Sequence, residues 1–455
     1  LGCSMLKKTF RLYRDHYVAL LRLGVPIMIG QLGIIIVGFA DNMMVGHHTS
    51  EELAAASFVN NLFNLPLMFA LGFSLGLTPL IGNLVGKNQV AKAGQTLRYG
   101  LIANLLLAIL LIGVMSVVYV NIDRMGQPEE LLPLIKPYFL IHLSGLIFIM
   151  LFNAFKQFAD GIMDTRISMY ILLCGNVLNI IGNYLLIFGP GFFPELGLLG
   201  AGFSTLLSRI FTLSVFVYLF FFTSRYGRFK EGFRHLKGDS GKQLLHLTKM
   251  GMPIAFQMGM ETGSFNLSVI MMGWIGTAAL AAHQAVATFT TIGFMLYYGI
   301  GSAITILVSN AKGAGEMNKV RSIANAGFHV IILLAVCIVI IMALFRQQVG
   351  YLFTDSEEVN GIVALLIIPT MVYQFGDGLQ VAYANALRGI GDVKPMALIA
   401  FVSYFLVCLP AAYLFGFVCQ GGAMGIWWGF PIGLTLAGVL FYSRFRYKMK
   451  NSKIV

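Results

Sequence analysis

The stretch MGMPIAFQMGMETGSFNLSVIMMGWI, residues 250–275, decides how the rest of the chain is interpreted. It is long enough to cross a bilayer, which takes about 20 mostly apolar residues. One acid, Glu261, lies near its middle, and a carboxylate at that depth costs roughly 2.5 kcal/mol or more unless it is protonated, paired or bound to an ion. The same stretch opens the second copy of an internal repeat. These features predict a pseudo-symmetric membrane carrier with ion-binding acids.

The composition of the whole chain agrees with a membrane protein. Of 455 residues, 58% are hydrophobic and 11% are charged, which excludes an ordinary soluble domain. We predict an all-α fold of twelve transmembrane helices in two pseudo-symmetric six-helix bundles. The apolar runs of spanning length are residues 18–45, 53–82, 98–120, 133–155, 168–190, 198–224, 246–275, 280–309, 323–345, 359–386, 395–417 and 422–443.

A polar basic segment at 225–245 divides the spans into two groups of six. We therefore predict a cytoplasmic amino-terminal segment (1–17), a first lobe (18–224), a cytoplasmic linker (225–245), a second lobe (246–443) and a cytoplasmic tail (444–455).

Basic residues account for the formal charge of +12 through their position. They concentrate before the first span, in the even-numbered loops, in the linker and at the end, whereas the odd-numbered loops hold only Arg124, Lys136 and Arg346 beside several acids. This positive-inside pattern predicts a multi-pass protein of the bacterial inner membrane with both termini in the cytoplasm. Membrane topology explains the positive charge, so no nucleic-acid partner is needed to account for it. The five cysteines form no metal-ligand spacing, and we expect no cofactor.

An internal repeat becomes visible when the chain is shifted by 227 residues. Residues that coincide include Gly24, Pro26, Gly46, Gly72 and Thr78 with Gly251, Pro253, Gly273, Gly299 and Thr305. The segments 161–164 (GIMD) and 389–392 (GIGD) coincide at a shift of 228. Because each half has an even number of spans, the two copies share one orientation, which predicts a parallel repeat. Such carriers usually bind substrate between the halves.

Three acids fall within the predicted spans, namely Asp41, Glu261 and Asp377. The repeat duplicates none of them, which indicates separate tasks in the two halves. Intramembrane acids are functional by default. The alternative is a protonated acid that is hydrogen-bonded to a neighbouring helix.

In the first half, Asp41 accompanies the amides of Asn176, Asn179 and Asn183 in the fifth span and the hydroxyl of Thr205 in the sixth. Asn179 and Asn183 are one helical turn apart and share a face. Such a group can coordinate a hard cation or hydrogen-bond a protonatable acid. The alternative is that these polar side chains only hold helices together.

In the second half, Tyr373 and Asp377 are one turn apart on the tenth span, and Gln374 and Gln380 are assigned to other faces. If the seventh and tenth helices approach, Glu261 and Asp377 form a two-carboxylate pocket that shares a proton or holds a cation such as Na+. Tyr373 alone would be read as a buried aromatic residue with a satisfied hydroxyl.

Pro26 and Pro253 occupy equivalent places in the first and seventh spans. Each removes a backbone hydrogen bond, so each could act as a hinge near an acid or as a passive kink. Arg209, in the sixth span, receives no role.

Methionine and phenylalanine side chains near the repeat axis could form an adaptable surface for flat cationic compounds. With Asp41, the candidates for this substrate cavity are Met258, Phe265, Phe289 and Phe294. Packing in the core or against lipid is the alternative for the apolar ones.

Several segments together resemble the MATE multidrug exporters. They are GFADNMMVG at 38–46, NVLNIIGNYLLIFG at 176–189 and ALRGIGDVKP at 386–395, and Glu261 with YQFGDGLQ at 373–380 points to the NorM-like branch. The resemblance covers about residues 15–445.

The resemblance implies export of cationic, lipophilic compounds in exchange for Na+ or H+. It also implies a carboxy-half cation site of Glu261, Tyr373 and Asp377. The implied ion or substrate site of the amino half consists of Asp41, Asn179, Asn183 and Thr205. Phe294 departs from the tyrosine expected in some relatives, so a hydroxyl contact there is absent.

The sequence therefore predicts a monomeric secondary active antiporter for cationic drugs. A lipid-linked precursor flippase of the same superfamily is the alternative, and it would prefer a cationic cavity for which Arg209 is the sole candidate. No histidine cluster or nucleophile with its base favours an enzyme. A channel is disfavoured because the acids form no symmetric ring.

Overall fold

The computed structural model describes residues 2–235 and 239–451, which form helices without any strand. The first nine α-helices are α1 (Gly2–His48), α2 (Ser50–Leu75), α3 (Leu77–Gly86), α4 (Val90–Val120), α5 (Leu132–Gly161), α6 (Thr165–Phe188), α7 (Leu198–Phe222), α8 (Gly227–His235) and α9 (Ser240–Ile275). The others are α10 (Thr277–Gly313), α11 (Met317–Leu344), α12 (Glu357–Ile390), α13 (Lys394–Ala400), α14 (Leu409–Tyr413) and α15 (Gly422–Asn451). Two π-helical segments, Phe401–Cys408 and Leu414–Val418, interrupt the span that α13 begins.

Eleven spans in the described part of the chain are long and apolar enough to cross a membrane. α9 supplies the twelfth, since it has 36 residues and contains the 250–275 stretch. α2 and α3 together make one span, as do α13, α14 and the π-helical segments. The predicted all-α fold with twelve transmembrane helices is confirmed.

Residue contacts divide the chain into two compact units. The amino unit is Ile29–Ala255, and the carboxy unit comprises the residues up to Met28 with those from Phe256 onward. α1 and α9 therefore each contribute to both units, and each changes unit two or three residues after its proline. The lobe boundaries drawn from hydropathy at 18–224 and 246–443 stay predictions.

Repeat-related glycines bring helices close together within each unit. In the amino unit, a Cβ on Gly72 of α2 would lie 2.8 Å from Cα of Ala255 on α9. In the carboxy unit, a Cβ on Gly299 of α10 would lie 3.0 Å from the backbone nitrogen of Met28 on α1. Only glycine permits such a backbone approach. The predicted equivalence of Gly72 and Gly299 therefore has the same packing role in both copies.

A repeated hydrogen-bond pattern fixes the second helix of each copy against the fourth. Thr78 Oγ1 donates to the backbone oxygen of Gln157 at 3.1 Å and lies 2.7 Å from its Oε1. Thr305 Oγ1 has the same two partners on Asn385, both at 3.0 Å. The threonine pair was predicted from the repeat, and its amide partners extend the symmetry.

Several helices continue past the predicted ends of their spans. α5 runs to Gly161 instead of 155, so Asp160 lies within a buried helix and pairs with Lys156 at 2.7 Å. Glu52 is also buried, near the start of α2. The expectation that only three acids lie within spans is therefore wrong, because hydropathy windows end at charged residues that the fold pairs internally. α15 likewise continues to Asn451, into the predicted tail.

Candidate functional site

The carboxy unit contains a carboxylate that the described part of the chain leaves without a partner. Asp377, on α12, is 0% exposed, and neither of its carboxylate oxygens has a hydrogen-bond partner. An unpaired buried carboxylate costs several kcal/mol of free energy unless a proton or cation neutralises it. Tyr373, one turn earlier on α12, is also buried. This is the position at which the sequence predicted a cation ligand.

Glu261 reaches the same region from α9 and is held by a relay of side chains. Gln380 Nε2 donates to Glu261 Oε2 at 3.1 Å, and the Tyr404 hydroxyl donates to Gln380 Oε1 at 2.5 Å. Tyr404 lies in the π-helical segment Phe401–Cys408, and such segments frequently occur at functional sites. The charges of Glu261 and Asp377 are close enough to interact. The structure thus brings both predicted carboxylates into one neighbourhood.

The relay of Tyr404, Gln380 and Glu261 was not predicted from the sequence. Gln380 was assigned to a different face from Asp377, but residues three apart on a helix are neighbours. Tyr404 was not predicted, because the sequence around a tyrosine in an apolar span does not indicate which residue of another helix it contacts.

Arg388 was also not predicted as a site residue. It lies near the end of α12 and is 6% exposed. Its Nη2 donates to Gln257 Oε1 at 2.7 Å, and Gln257 precedes Glu261 by one turn on α9. The charges of Arg388 and Glu261 interact. The site therefore combines two carboxyl groups with one buried guanidinium.

A fourth contribution comes from α10. The Tyr297 hydroxyl donates to Gln374 Oε1 at 2.8 Å, while the buried Nε2 of Gln374 has no partner in the described part of the chain. Gln374 precedes Asp377 by three residues, and Tyr297 is close enough to Asp377 for an electrostatic interaction. Phe294 is three residues before Tyr297, so a tyrosine hydroxyl enters this neighbourhood although position 294 has none.

In the amino unit, the four predicted residues contact one another. Asn183 Nδ2 donates to Asp41 Oδ1. With the Asn179 amide oriented to satisfy its neighbours, its nitrogen donates to Asp41 Oδ1 at 2.9 Å and its oxygen accepts from Thr205 Oγ1 at 3.2 Å. Ser204 Oγ, next to Thr205, donates to the backbone oxygen of Asn179 at 2.7 Å. α1, α6 and α7 therefore meet at Asp41.

Arg209, to which the sequence assigned no role, belongs to this amino-unit cluster. A Cβ on Gly145 of α5 would lie 2.5 Å from Nη1 of Arg209, so the absence of a side chain there makes room for the guanidinium. The charge of Arg209 interacts with that of Asp41. The amino-unit carboxylate thus has amide donors and a cation nearby.

The apolar candidates for a substrate cavity lie in the carboxy unit, whereas Asp41 lies in the amino unit. Phe265 stacks on Phe430 with ring centroids 4.4 Å apart and meets Tyr373 edge-on at 6.4 Å. Met258 is buried. Phe289 packs against the core of the unit, and Phe294 contacts the ring of Tyr298 at 6.2 Å. A role of these residues in substrate binding stays a prediction.

Both predicted hinge residues lie inside unbroken helices, Pro26 in α1 and Pro253 in α9. Each precedes by a few residues the point at which its helix changes unit. Their role as hinges stays a prediction.

Known proteins of similar sequence cover nearly the whole chain. A multidrug resistance protein NorM of Vibrio cholerae is 27% identical over 446 residues, which is 97% of each chain. The NorM of Photobacterium profundum is 26% identical and covers 96% of each. A probable NorM of Oceanobacillus iheyensis is 28% identical over 94% of this chain and 96% of its own.

Solved structures share the fold. One described as the outward-facing conformation of a multidrug resistance MATE family transporter superposes with a TM-score of 0.87 at 22% identity and covers 97% of both chains. A second, a transporter of the MOP superfamily from Pyrococcus furiosus with a reported reverse polarity of its binding pocket, has a TM-score of 0.86 at 22% identity and covers 98% of both.

The profile of the MatE family matches residues 26–185 and 253–414. The two matches begin at Pro26 and Pro253, with the same offset as the internal repeat. Since together they cover more than half of the chain, this protein belongs to the MatE family.

Proposed function

We propose that this protein is a secondary active multidrug exporter, which moves cationic, lipophilic compounds out of the cell in exchange for Na+ or H+. Its relatives in Vibrio, Photobacterium and Oceanobacillus are named multidrug resistance proteins. Family membership, the eleven apolar spans and α9 as the twelfth support a transporter rather than an enzyme.

One observation carries the coupling part of the proposal, namely the buried and unpartnered carboxylate of Asp377 beside Glu261. Carboxylate oxygens are the ligands preferred by hard cations, and they also accept protons. Glu261 and Asp377 would hold the cation, and the Tyr373 hydroxyl would complete the site. Two neighbouring carboxyl groups with a single counter-charge make occupancy a switch, because the empty site is costly in free energy.

Coupling requires that cation and drug favour different conformations. A ligand shifts a conformational equilibrium only by its differential affinity for the two states. If the cation binds one state better and the drug the other, each lowers the affinity for its competitor by the same factor. Inward ion movement then drives outward drug movement.

The Asp41 cluster of the amino unit is proposed as a second ion or substrate site. Asn179, Asn183 and Thr205 orient its carboxylate, and Arg209 balances its charge. Because Arg209 has a carboxylate beside it, it does not form the isolated cationic site that a flippase for anionic lipid-linked precursors would prefer. The exporter is therefore the better-supported reading.

The distribution of basic residues supports an orientation in the bacterial inner membrane with both termini in the cytoplasm, and the proposed exporter acts as a monomer. Fusions of a periplasm-dependent reporter at residues 125 and 238 test the orientation: the first should be active and the second inactive.

Transport in reconstituted liposomes tests the proposal. Ethidium or norfloxacin efflux is measured under a Na+ gradient and, separately, under a pH gradient. The expected result is that one gradient drives efflux and that Glu261→Gln and Asp377→Asn abolish this dependence. Asp41→Asn should reduce efflux.

Matched controls exist on the same helix or just before it. Glu358→Gln, near the start of α12, and Asp355→Asn, just before α12, make the same chemical changes at exposed positions and should leave efflux intact. If Glu261→Gln, Asp377→Asn and Asp41→Asn all transport as well as the unmodified protein, the assigned roles are wrong.

A further inference from the structure

A cavity of about 250 Å³ lies where α11 begins and α15 ends, within the carboxy unit. It has room for several water molecules, because about 10–15 Å³ of such cavity volume is enough to hold one. The residues that line it are Arg321, Asn325, Tyr442, Phe445, Arg446, Met449 and Lys450.

The cavity has a strongly positive rim and an apolar floor. Arg321, Arg446 and Lys450 are exposed at its edge, and none of the seven lining residues is acidic. Phe445 and Met449 are buried beneath them. Guanidinium and ammonium groups in this arrangement match the oxygens of a phosphate group, which arginine can bind in a bidentate way.

One face of α11 and one face of α15 each change from apolar to cationic residues towards the cavity. On α15, residues 439, 442, 446 and 450 share one face and read Val, Tyr, Arg and Lys towards the helix end. On α11, residues 336, 332, 325 and 321 also share one face and read Val, Ile, Asn and Arg towards the helix start. Both stripes therefore pass from apolar to cationic as they approach the cavity.

Side chains in the apolar parts of these two stripes are also exposed. Val439 is 45% exposed, Val336 is 38% exposed and Tyr442 is 37% exposed. Tyrosine at the junction of an apolar and a charged region is typical of the membrane interface. A molecule with a phosphate head and hydrocarbon tails has the same polarity gradient, whereas a free phosphate ion would use only the charged end.

We propose that this cavity binds the phosphate-bearing headgroup of an anionic phospholipid, whose acyl chains lie along the apolar parts of α11 and α15. Basic pockets between transmembrane helices at the membrane surface are a recurrent way to hold such headgroups. The proposal is independent of the transported substrate and of the coupling ion.

Native mass spectrometry of the purified full chain with added lipid tests this. Phosphatidylglycerol should bind at least tenfold more tightly than phosphatidylcholine. The triple variant Arg321→Gln, Arg446→Gln, Lys450→Gln should lose that preference. The control Arg228→Gln, Arg234→Gln, Lys249→Gln removes the same three charges from exposed positions elsewhere and should keep it.

Two further arms separate the alternatives. Arg321→Lys with Arg446→Lys retains the charge but not the planar fork, and should weaken phosphatidylglycerol binding about threefold while folding normally. Inorganic phosphate at millimolar concentration should bind much more weakly than the lipid. If phosphate binds and the lipid does not, or if the triple variant still prefers phosphatidylglycerol, the proposal is overturned.

Discussion

Asp41 and Asp377 are both acids inside transmembrane helices, but their surroundings differ. Asp41 accepts hydrogen bonds from amides of α6 and has Arg209 nearby. Asp377 is fully buried and has no hydrogen-bond partner in the described part of the chain. One carboxylate is therefore stabilised by the protein itself, whereas the other needs something that the protein does not supply.

The two clusters also differ in net charge. The formal charges of Asp41 and Arg209 sum to zero. Glu261, Asp377 and Arg388 sum to −1 when both acids are ionised, so a single monovalent cation would neutralise the cluster. We therefore expect the amino-unit cluster to be preformed and the carboxy-unit cluster to be completed by a bound cation or proton.

The largest effect on stability is expected from Asp41→Ala. It removes the acceptor for Asn183 and the carboxylate beside Arg209. Asp41 accepts hydrogen bonds from Asn183 and Asn179, and a hydrogen bond to a charged group contributes about 1.5–3 kcal/mol, so losing both costs about 3 kcal/mol. We expect the free energy of unfolding, measured by denaturant titration in detergent, to fall by that amount. Asp355→Ala, at an exposed position, is the control. If Asp41→Ala is as stable as the unmodified protein, Asp41 is not stabilised by its neighbours as described.

The next largest effect concerns the ion. If the cation binds at Asp377, then a cation concentration of 100 times the dissociation constant stabilises the folded protein by about 2.7 kcal/mol. Asp377→Asn should abolish this gain, seen as the loss of a Na+-dependent or pH-dependent rise in Tm. In cation-free buffer the variant should unfold at or above the Tm of the unmodified protein, because the amide carries no buried charge.

Asp41→Asn serves as the matched variant for that measurement. It should keep the cation-dependent rise in Tm. If Asp41→Asn loses the rise and Asp377→Asn keeps it, the roles of the two sites are reversed.

The repeat also relates two positions that carry opposite charges. Asp160 of α5 and Arg388 of α12 are equivalent at the shift of 228, yet they carry opposite charges. Asp160 pairs with Lys156 of its own helix, whereas Arg388 bonds Gln257 on α9, one turn from Glu261. The same position is internally paired in one unit and directed towards the carboxylates in the other.

Arg388→Gln tests whether this guanidinium acts on the carboxylates. It removes the one buried positive charge that acts on Glu261 among the described residues, so the site becomes more negative. At an effective dielectric constant of about 20, a nearby unit charge contributes on the order of 1–2 kcal/mol, which corresponds to about tenfold tighter cation binding. The midpoint of the cation-dependent rise in Tm measures this. Arg346→Gln, whose guanidinium bonds the backbone oxygen of Ala364 in the same unit, should leave the midpoint unchanged.

The sequence predicted the fold well because the signals were periodic or repeated. Span length is dictated by bilayer thickness, and the glycine and threonine pairs 72/299 and 78/305 make equivalent contacts in the two units. Asp41, Asn179, Asn183 and Thr205 were predicted to form one cluster, since polar residues in an apolar span must find partners.

Arg388 and Tyr404 could not be predicted in the same way. Arg388 was placed after the tenth span because a charge ends a hydropathy window, although α12 continues to Ile390. Its partner Gln257 is 131 residues away in the chain. Tyr404 is one aromatic residue in an apolar run, and the π-helical geometry that surrounds it is set by packing between helices rather than by local sequence. Both contacts depend on tertiary structure.

Tyr404→Phe is expected to have the smallest effect. It removes the hydroxyl that donates to Gln380 at 2.5 Å, while the ring still fills its buried position. Loss of one hydrogen bond costs about 1 kcal/mol, and a Gln380 amide that is no longer fixed should orient Glu261 less well. We expect a fall in the free energy of unfolding of that size and a cation affinity lowered severalfold. Tyr413→Phe, at an exposed position of the same span, should change neither. If Tyr404→Phe lowers stability without altering cation affinity, the relay supports the fold but not the carboxy-unit site.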